Sequence, residues 1–208
     1  MKLLVIGASR GVGLQMVQQA LHTGHTVTAF ARSAGEMPMQ HRFLAKISGD
    51  FHDPVAVSAV MPGQDAVIIT ASLGMLQLKR QPEFYSRGTT QVLAAMKQHG
   101  VPRIVILSNF AAGDGDKLLN PLERLFTNLF IREATDDHTR QEQLVSNSGL
   151  QWTVARPSRL THDPARSRYQ VVSGQRVPSC ISRADVAAFL LQAATTELWL
   201  GQTVNIGG

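Results

Sequence analysis

The sequence predicts an α/β fold, a single domain built on a doubly wound parallel sheet. The first observation is that short apolar runs alternate with amphipathic segments along nearly all of the 208 residues. Apolar runs bounded by turn residues are typical of strands buried on both faces, as in parallel sheets. The second is that no repeat or linker divides the chain, whose length suits one domain. Strands that alternate regularly with helices pair in parallel, with helices covering both faces of the sheet.

Five strands and three helices are predicted in the first half of the chain. The strands are apolar or β-branched runs at 2–7, 25–32, 42–48, 65–72 and 103–108. The helices follow 3.6-residue spacing and are expected over 11–23, from Asp53-Pro54 onward, and over 83–99. Gly24 suits the end of the first helix, and a proline suits the first turn of the second.

The second half is predicted to hold a helical insertion at 110–132, near the substrate side, and then a helix, strand, helix and strand. The four later elements are expected at 136–149, 151–157, 181–195 and 202–208. Ser182 and Asp185 have capping-box spacing at the start of the last helix. The insertion carries an apolar stripe over 118–130 at helical spacing. Such a stripe favours core packing, although a lid over an apolar ligand or a subunit interface remains open.

The segment "GASRGVG" at residues 7–13 lies between the first strand and the first helix. Gly7 allows a tight turn, Gly11 lets the backbone approach a diphosphate, and Gly13 permits close packing of helix on strand. The helix N-terminus offers N–H groups and partial positive charge to phosphates. The loop therefore predicts a Rossmann-like dinucleotide site, with Ser9 and Val12 also in contact with the cofactor.

Two arginines favour NADP(H) over NAD(H). Sites for NAD usually place an acid at the end of the second strand, where this chain has Arg32. A guanidinium pairs with a 2′-phosphate that a carboxylate would repel, and Arg10 in the glycine loop is expected to join it. Arg32 as a solvated strand-end charge is the alternative. Asp50 is expected to accept from the adenine amino group, with a turn or cap beside Asp53 as the alternative, and Phe51 is expected to contact the cofactor.

Composition excludes several classes of protein. Lys and Arg exceed Asp and Glu by 20 to 15, but the basic residues are scattered and aromatics are only 6%, which disfavours a nucleic-acid partner. No apolar run is long enough to span a bilayer, and no leader is evident, so a cytoplasmic location is expected. The one cysteine, Cys180, excludes an internal disulfide. No cluster has metal-ligand spacing. We expect a monomer or small homo-oligomer with a small-molecule substrate.

The glycine loop and strand pattern resemble the short-chain dehydrogenase/reductase superfamily. Its usual Tyr-x3-Lys pair is missing, since Tyr85 is followed four residues later by Thr89 and Tyr169 by Ser173. The chain is therefore similar to an atypical branch, the NAD(P)H-binding, NmrA-like proteins that include biliverdin-IXβ (flavin) reductases. "TDDHTRQEQLVSNSGLQWTVARP" at 135–157 and "ISRADVAAFLL" carry this resemblance, which implies NADPH-dependent reduction of flavins and linear tetrapyrroles.

Departures from that branch fall at two places expected to border the nicotinamide or the substrate. Its Thr-Ser pair is replaced by Ser108-Asn109, and the histidine after the strand-ending proline is replaced by Ser158. Ser108 and Asn109 are the candidate catalytic residues, with turn chemistry as the alternative. Ser158 and Arg159 are candidates for the substrate, with a surface charge as the alternative for Arg159.

Fold position adds further cofactor contacts: Thr70, Ala71, Ser72, Ser108 and Pro157. Arg156, at the end of the sixth strand, is also a candidate to line the site. His138 is interpreted as a helix-surface residue, and Asp136 and Asp137 as first-turn residues that favour the helix dipole.

Two functions stay open on the sequence. A site without a strong acid favours conjugated acceptors such as flavins, tetrapyrroles or quinones, because hydride addition to them gives a delocalised anion that solvent can protonate. The sequence thus predicts an NADPH-dependent oxidoreductase. The alternative is a non-catalytic NADP(H)-binding regulatory or scaffold protein, which would also explain Asn109 and Ser158.

Overall fold

Seven of the eight strands in the main sheet run parallel, as the sequence predicts. The computed structural model describes residues 1–78 and 80–208. The strands are β1 Lys2–Ile6, β2 Thr26–Ala31, β3 Leu44–Ser48, β4 Ala66–Ile69, β5 Arg103–Leu107, β6 Gln151–Pro157, β7 Arg159–Thr161, β8 Gln170–Val172, β9 Cys180–Ser182 and β10 Gln202–Gly207. The helices are α1 Gly11–His22, α2 Pro54–Ala59, α3 Met75–Leu78, α4 Phe84–His99, α5 Pro121–Phe126, α6 Arg132–Ser146 and α7 Arg183–Thr195.

The strand order confirms the doubly wound topology. The sheet runs β3-β2-β1-β4-β5-β6-β10-β8, so the order reverses between β1 and β4. Only β8, at one edge, is antiparallel, and it pairs with β10. A reversal of this kind leaves a crevice at the carboxyl ends of the two central strands, which is where such sheets bind ligands.

Helix boundaries follow local chemistry. Asp53 caps α2 by accepting from the N–H groups of Val55 and Ala56, with Pro54 at the first position. Gly100 ends α4 in the left-handed conformation, at φ 68°. Ser182 caps α7 by accepting from the Asp185 N–H, and its hydroxyl donates to the Asp185 carboxylate.

Two apolar layers cover the sheet. On one face α1 and α7 pack through buried residues such as Met16, Val17 and Phe189. On the other, residues of α2, α4 and α6 such as Val57, Val92 and Val145 pack against the opposite side chains of the same strands. The central strands are therefore buried on both faces, which explains their continuous apolar sequence.

The insertion departs from the expected core helix. It consists of a 3-10 turn at Gly113–Leu118, the short α5, and a π-helical stretch at Thr127–Ile131 that runs into α6. Five large side chains of its stripe are exposed: Leu122, Leu125, Phe126, Leu129 and Phe130. Core packing of this stripe, the favoured interpretation, is therefore wrong. The stripe has helical spacing, but no sheet or helix in the described chain covers this face.

Three short strands were not predicted. β7 and β9 form a separate two-stranded parallel ribbon, and β8 adds the antiparallel edge. Each is three residues long and mixes polar with apolar positions, so none has the apolar run by which the other strands are recognised. No helix within the described ranges has the length and apolar character needed to traverse a membrane.

Candidate functional site

A cleft of about 660 Å³ opens at the carboxyl edge of the sheet, where the strand order reverses. The loops after β1, β2, β3 and β4 line one end, and the ends of β5 and β6 lie deeper. Of the fourteen residues predicted to contact the cofactor, thirteen line the cleft: Gly7, Ser9, Arg10, Gly11, Val12, Arg32, Asp50, Phe51, Thr70, Ala71, Ser72, Ser108 and Pro157. The topology brings these positions together from six separate loops and strand ends.

The glycine loop has the geometry that the sequence predicts. Gly7 has φ +85°, and a Cβ there would collide with the backbone of Ala71 after β4. A Cβ on Gly13 would collide with the Gly7 carbonyl oxygen, so Gly13 lies at the contact of α1 with β1 rather than in the cleft lining. Gly11 has φ +59°, and a Cβ there would lie 3.9 Å from the Arg183 Nε, in ordinary contact without a collision. The Thr70 hydroxyl donates to the Ile6 carbonyl at 3.0 Å and joins the ends of β4 and β1.

The first turn of α1 suits a diphosphate. Arg10 at the N-cap has an extended backbone and makes no side-chain cap, and the first turn carries no acid. The N–H groups that begin the helix are thus left to a ligand, and the helix dipole favours an anion there. The Arg10 guanidinium donates to the Ser72 carbonyl at 3.3 Å across the mouth of the cleft.

The end of the cleft formed by the loops after β2 and β3 combines an exposed arginine with a constrained carboxylate. Arg32 is exposed just beyond β2 and lines the cleft. Asp50 accepts from the His52 N–H at 3.0 Å and contacts the His52 ring nitrogen Nδ1 at 2.8 Å. Burial alone would raise the pKa of Asp50, but these His52 hydrogen bonds, with the charges of His52 and Arg32, lower it. Asp50 therefore both lines the cleft and stabilises the turn that contains His52.

Ser108 connects the floor of the cleft to a buried ionic network. Its hydroxyl donates to Glu142 Oε1 of α6 at 2.5 Å. Arg156 donates from Nε to Glu142 Oε1 at 2.9 Å and from Nη2 to Oε2 at 2.6 Å. Arg156 also reaches Asp114 in the insertion. Burial opposes the charge of Arg156, but Glu142 and Asp114 outweigh it and raise the pKa of the guanidinium. Arg156, expected to line the site, instead anchors β6 to α6.

A stacked aromatic pair forms one side of the cleft. The rings of Tyr85 in α4 and His138 in α6 lie 3.7 Å apart with 25° between their planes. Phe84 packs edge-on against Tyr85, and all three line the cleft. We call Phe84, Tyr85 and His138 the aromatic wall. Burial raises the pKa of the Tyr85 hydroxyl, so it stays protonated at neutral pH.

His138 is a neutral, oriented side chain. Burial lowers its pKa to about 4, so near neutral pH its Nδ1 carries the proton that faces Gln141 Oε1 at 3.0 Å. Gln141 in turn donates to the Thr89 hydroxyl of α4 at 2.9 Å. The helix-surface interpretation of His138 is therefore wrong. α6 packs against α4 on the side where His138 lies, and the polar sequence of α6 gives no sign of this contact.

The two acids before His138 also differ from expectation. α6 begins at Arg132, so Asp136 and Asp137 lie beyond its first turn. Asp136 is partly exposed and pairs with Arg132. Asp137 is buried and accepts from the Tyr85 N–H at 2.6 Å and from the Ser86 hydroxyl at 2.5 Å. Asp137 therefore holds the start of α4, and with it Tyr85, in the aromatic wall.

Three predicted catalytic or substrate residues lie outside the cleft lining: Asn109, Ser158 and Arg159. Asn109 donates to the Thr135 hydroxyl at 3.2 Å and accepts from the Ala111 N–H at 2.9 Å, which orders the loop after β5. Ser158 donates its N–H to the Ile206 carbonyl, and Arg159 is exposed at the start of β7. The structure does not bring these three to the cofactor loop.

Sequence reasoning missed several residues of the cleft. His52, Leu160, His162 and Arg183 line it, and Glu142 holds Ser108 from behind. His138 and Glu142 are four residues apart and so share one face of α6, which is the one signal that the sequence offered. Among the described residues, no group of three or more His, Cys, Asp or Glu side chains could hold a metal ion.

Comparison with known proteins identifies the cofactor class. A family model described as NAD(P)H-binding matches residues 7–197. This match confirms the predicted nicotinamide dinucleotide and the resemblance to an NAD(P)H-binding branch.

Curated relatives are more distant. The photosystem II assembly factor Ycf39 of Synechocystis is 25% identical over all of this chain and 63% of its own length. The 2-alkyl-3-oxoalkanoate reductase of Stenotrophomonas maltophilia is 34% identical over 52% of this chain and 33% of its own length. The chain thus spans between one third and two thirds of these relatives.

Solved structures share the fold at low identity. ChuY, an anaerobillin reductase of Escherichia coli O157:H7, has a TM-score of 0.81 at 22% identity, with 99% of this chain and 96% of that chain covered. A short-chain dehydrogenase/reductase of Veillonella parvula, in complex with NADP, has a TM-score of 0.85 at 16% identity, with 100% and 94% covered. The Rossmann-like fold predicted from the sequence is therefore confirmed.

Proposed function

Because this chain belongs to the NAD(P)H-binding family, we propose that it is an NADPH-dependent reductase that transfers hydride to a planar, conjugated acceptor. Flavins, linear tetrapyrroles and quinones are the acceptor classes that fit. The observation that carries the proposal is the aromatic wall, because the stacked rings of Tyr85 and His138 border the cleft, where they can make aromatic contacts with a planar molecule.

The chain's own residues have a limited chemical task in this reaction. The bound cofactor supplies the hydride, and the protein holds the acceptor at near-attack distance. A delocalised anion formed on a conjugated acceptor takes its proton from solvent, so no strong acid is required. His138 is neutral at neutral pH and Tyr85 stays protonated, which suits a site that stacks its substrate.

Ser108 has an orienting role in this proposal. Its hydroxyl proton is committed to Glu142 at 2.5 Å, and Glu142 is fixed in turn by Arg156. The Ser108 oxygen is therefore left as a hydrogen-bond acceptor toward the cleft, where it suits the carboxamide N–H of the nicotinamide or an N–H of the acceptor. Glu142 is a positioning residue, because it acts through Ser108.

The cofactor is proposed to be NADP(H) rather than NAD(H). Arg32 is exposed beyond β2 and no acid occupies that position. Asp50, the nearest cleft carboxylate, is held in its own turn by His52. A guanidinium at the strand end favours the additional 2′-phosphate.

Steady-state oxidation of NADPH with FMN, riboflavin, a quinone and biliverdin tests the proposal. We expect turnover with at least one conjugated acceptor and none with a simple ketone. Replacement of Tyr85 by Leu should raise the KM for that acceptor about tenfold, which corresponds to the loss of about 1.4 kcal/mol of stacking. Tyr85→Phe is the matched control, since it keeps the ring and should leave KM unchanged. A folded protein that binds NADPH but reduces none of these acceptors would refute the proposal.

A second candidate is a non-catalytic NADP(H)-binding scaffold. The exposed apolar side chains of the insertion favour it, because a soluble monomer rarely presents several large apolar groups together. The relative Ycf39 is named as an assembly factor. Three results together would favour this function over the reductase. The protein would bind NADP+ and NADPH with equal affinity, it would turn over no acceptor, and it would bind a protein partner that the Leu125→Ser variant no longer binds.

A further inference from the structure

Arg183 is a cationic side chain in the cleft that neither the sequence motifs nor the proposed chemistry account for. It is the first residue of α7 and is half-buried against the cleft. A cation at this end of a helix opposes the helix dipole, so the position is unfavourable for Arg183 on local grounds. No carboxylate forms an ion pair with it in the part of the chain that the structure describes.

The Arg183 guanidinium lies over the glycine loop. Its Nε is 3.9 Å from the point that a Cβ on Gly11 would occupy, and nothing else comes within 4 Å of that point. The first turn of α1, with its uncapped N–H groups, borders the same space. The guanidinium and the helix N-terminus therefore approach one small volume from two sides.

One hydrogen bond orients the Arg183 side chain, and contacts of the neighbouring residues fix the backbone that carries it. Its Nη1 donates to the Thr161 carbonyl of β7 at 2.9 Å. Gln19 of α1 donates to the carbonyl of the next residue, Ala184, at 2.9 Å. Ser182 and Asp185 cap the start of α7. The side chain is thus oriented in the absence of an anionic partner, which is the arrangement of a preformed anion site.

We propose that Arg183 binds the cofactor's diphosphate from the side opposite the glycine loop, so that the diphosphate lies between the guanidinium and the N-terminus of α1. This inference deepens the proposed function, because it concerns the same cleft, but it depends on cofactor binding and not on hydride transfer. A guanidinium suits this role, since its planar fork pairs with two phosphate oxygens at once.

Calorimetric titration with NADP+ and with adenosine 2′-monophosphate tests the proposal. The second probe keeps the 2′-phosphate and adenine but lacks the diphosphate. Arg183→Gln should weaken NADP+ binding tenfold or more and leave adenosine 2′-monophosphate unaffected, and Arg183→Lys should fall between wild type and Arg183→Gln. Arg159→Gln, an exposed arginine outside the cleft lining, is the matched control and should bind both probes as wild type does.

Two results would overturn the proposal. One is unchanged NADP+ affinity in Arg183→Gln. If, in addition, the KM for FMN rises and the KM for riboflavin does not, the guanidinium binds a phosphate of the acceptor instead. The other is an equal loss for both probes, which would place the effect outside the diphosphate. If the reductase proposal is wrong, the protein shows no turnover with any acceptor, but these binding titrations still give the expected results.

Discussion

The glycine loop and the aromatic wall are two sides of one cleft, but they are built in different ways. The loop acts through backbone: glycines at positive φ, uncapped N–H groups and a close approach of α1 to β1. It is contiguous over residues 7–13. The aromatic wall acts through side chains of α4 and α6, and hydrogen bonds of Asp137 and Gln141 join these two helices. Backbone sites are therefore visible in a sequence, whereas side-chain sites depend on tertiary packing.

The largest expected effect concerns the network behind Ser108. Glu142→Gln leaves the buried Arg156 without its main partner, so the free energy of unfolding should fall by about 3 kcal/mol. Asp136→Asn, in the exposed pair with Arg132 on the same helix, is the matched control and should cost less than about 0.5 kcal/mol. Urea unfolding measures both. Similar losses for the two variants would show that the Ser108 side of the cleft does not depend on buried charge.

The backbone side can be tested through one glycine. Gly7 and Gly24 have φ of +85° and +83°, but only at Gly7 would a Cβ collide with another part of the chain. Gly7→Ala should therefore cost about 1–3 kcal/mol more than Gly24→Ala, and it should weaken NADP+ binding, because Ala71 must move. Urea unfolding and calorimetry measure the two effects. Equal costs would mean that the contact with Ala71 relaxes freely.

Cofactor choice depends on Arg32. Arg32→Glu should weaken NADPH binding about 100-fold, since it replaces an attraction to the 2′-phosphate by repulsion. NADH, which lacks that phosphate, should lose far less. Calorimetry with both cofactors measures the ratio, and equal losses would contradict a 2′-phosphate role for Arg32.

His138 in the aromatic wall is expected to make the free energy of unfolding depend on pH. The pKa of His138 is about 4 in the folded protein and about 6.5 in an unfolded chain. The unfolded state therefore binds the extra proton first as pH falls, and stability drops between about pH 6.5 and pH 4. From pH 7 to pH 5 this one group should account for about 2 kcal/mol. His138→Phe keeps an aromatic ring against Tyr85 and should lose that part of the pH dependence in urea unfolding. An unchanged profile would show that His138 titrates normally.

The smallest expected effect lies outside the cleft. Leu122 is 75% exposed in the insertion, so Leu122→Ser should change the free energy of unfolding by no more than about 0.5 kcal/mol. Val145→Ser, at a fully buried position in α6, should cost several times more. Comparable losses in thermal or urea unfolding would show that the insertion packs against the core in solution.

The sheet and the glycine loop could be predicted from the sequence. So could the grouping of thirteen of the fourteen expected cofactor residues, which line one cleft. These features depend on apolar runs and on glycine, whose signals are local. The roles of His138 and Glu142 could not be predicted, because a polar helix does not reveal which face it buries. Arg183 was missed because its proximity to Gly11 depends on the packing of α7 on α1. The prediction that the apolar stripe packs in the core was wrong because helical spacing indicates an apolar face but does not show whether another element covers it.

A single-turnover measurement of hydride transfer decides whether this chain is a reductase. The protein is mixed anaerobically with NADPH and FMN, and the absorbance bands of the nicotinamide and the flavin are followed together. We predict that both fall at the same rate and in equimolar amounts, and that Tyr85→Leu slows both while its NADPH affinity stays that of wild type. The contrary result is that NADPH binds but its absorbance stays constant with saturating flavin. The same must hold when a quinone or biliverdin replaces the flavin.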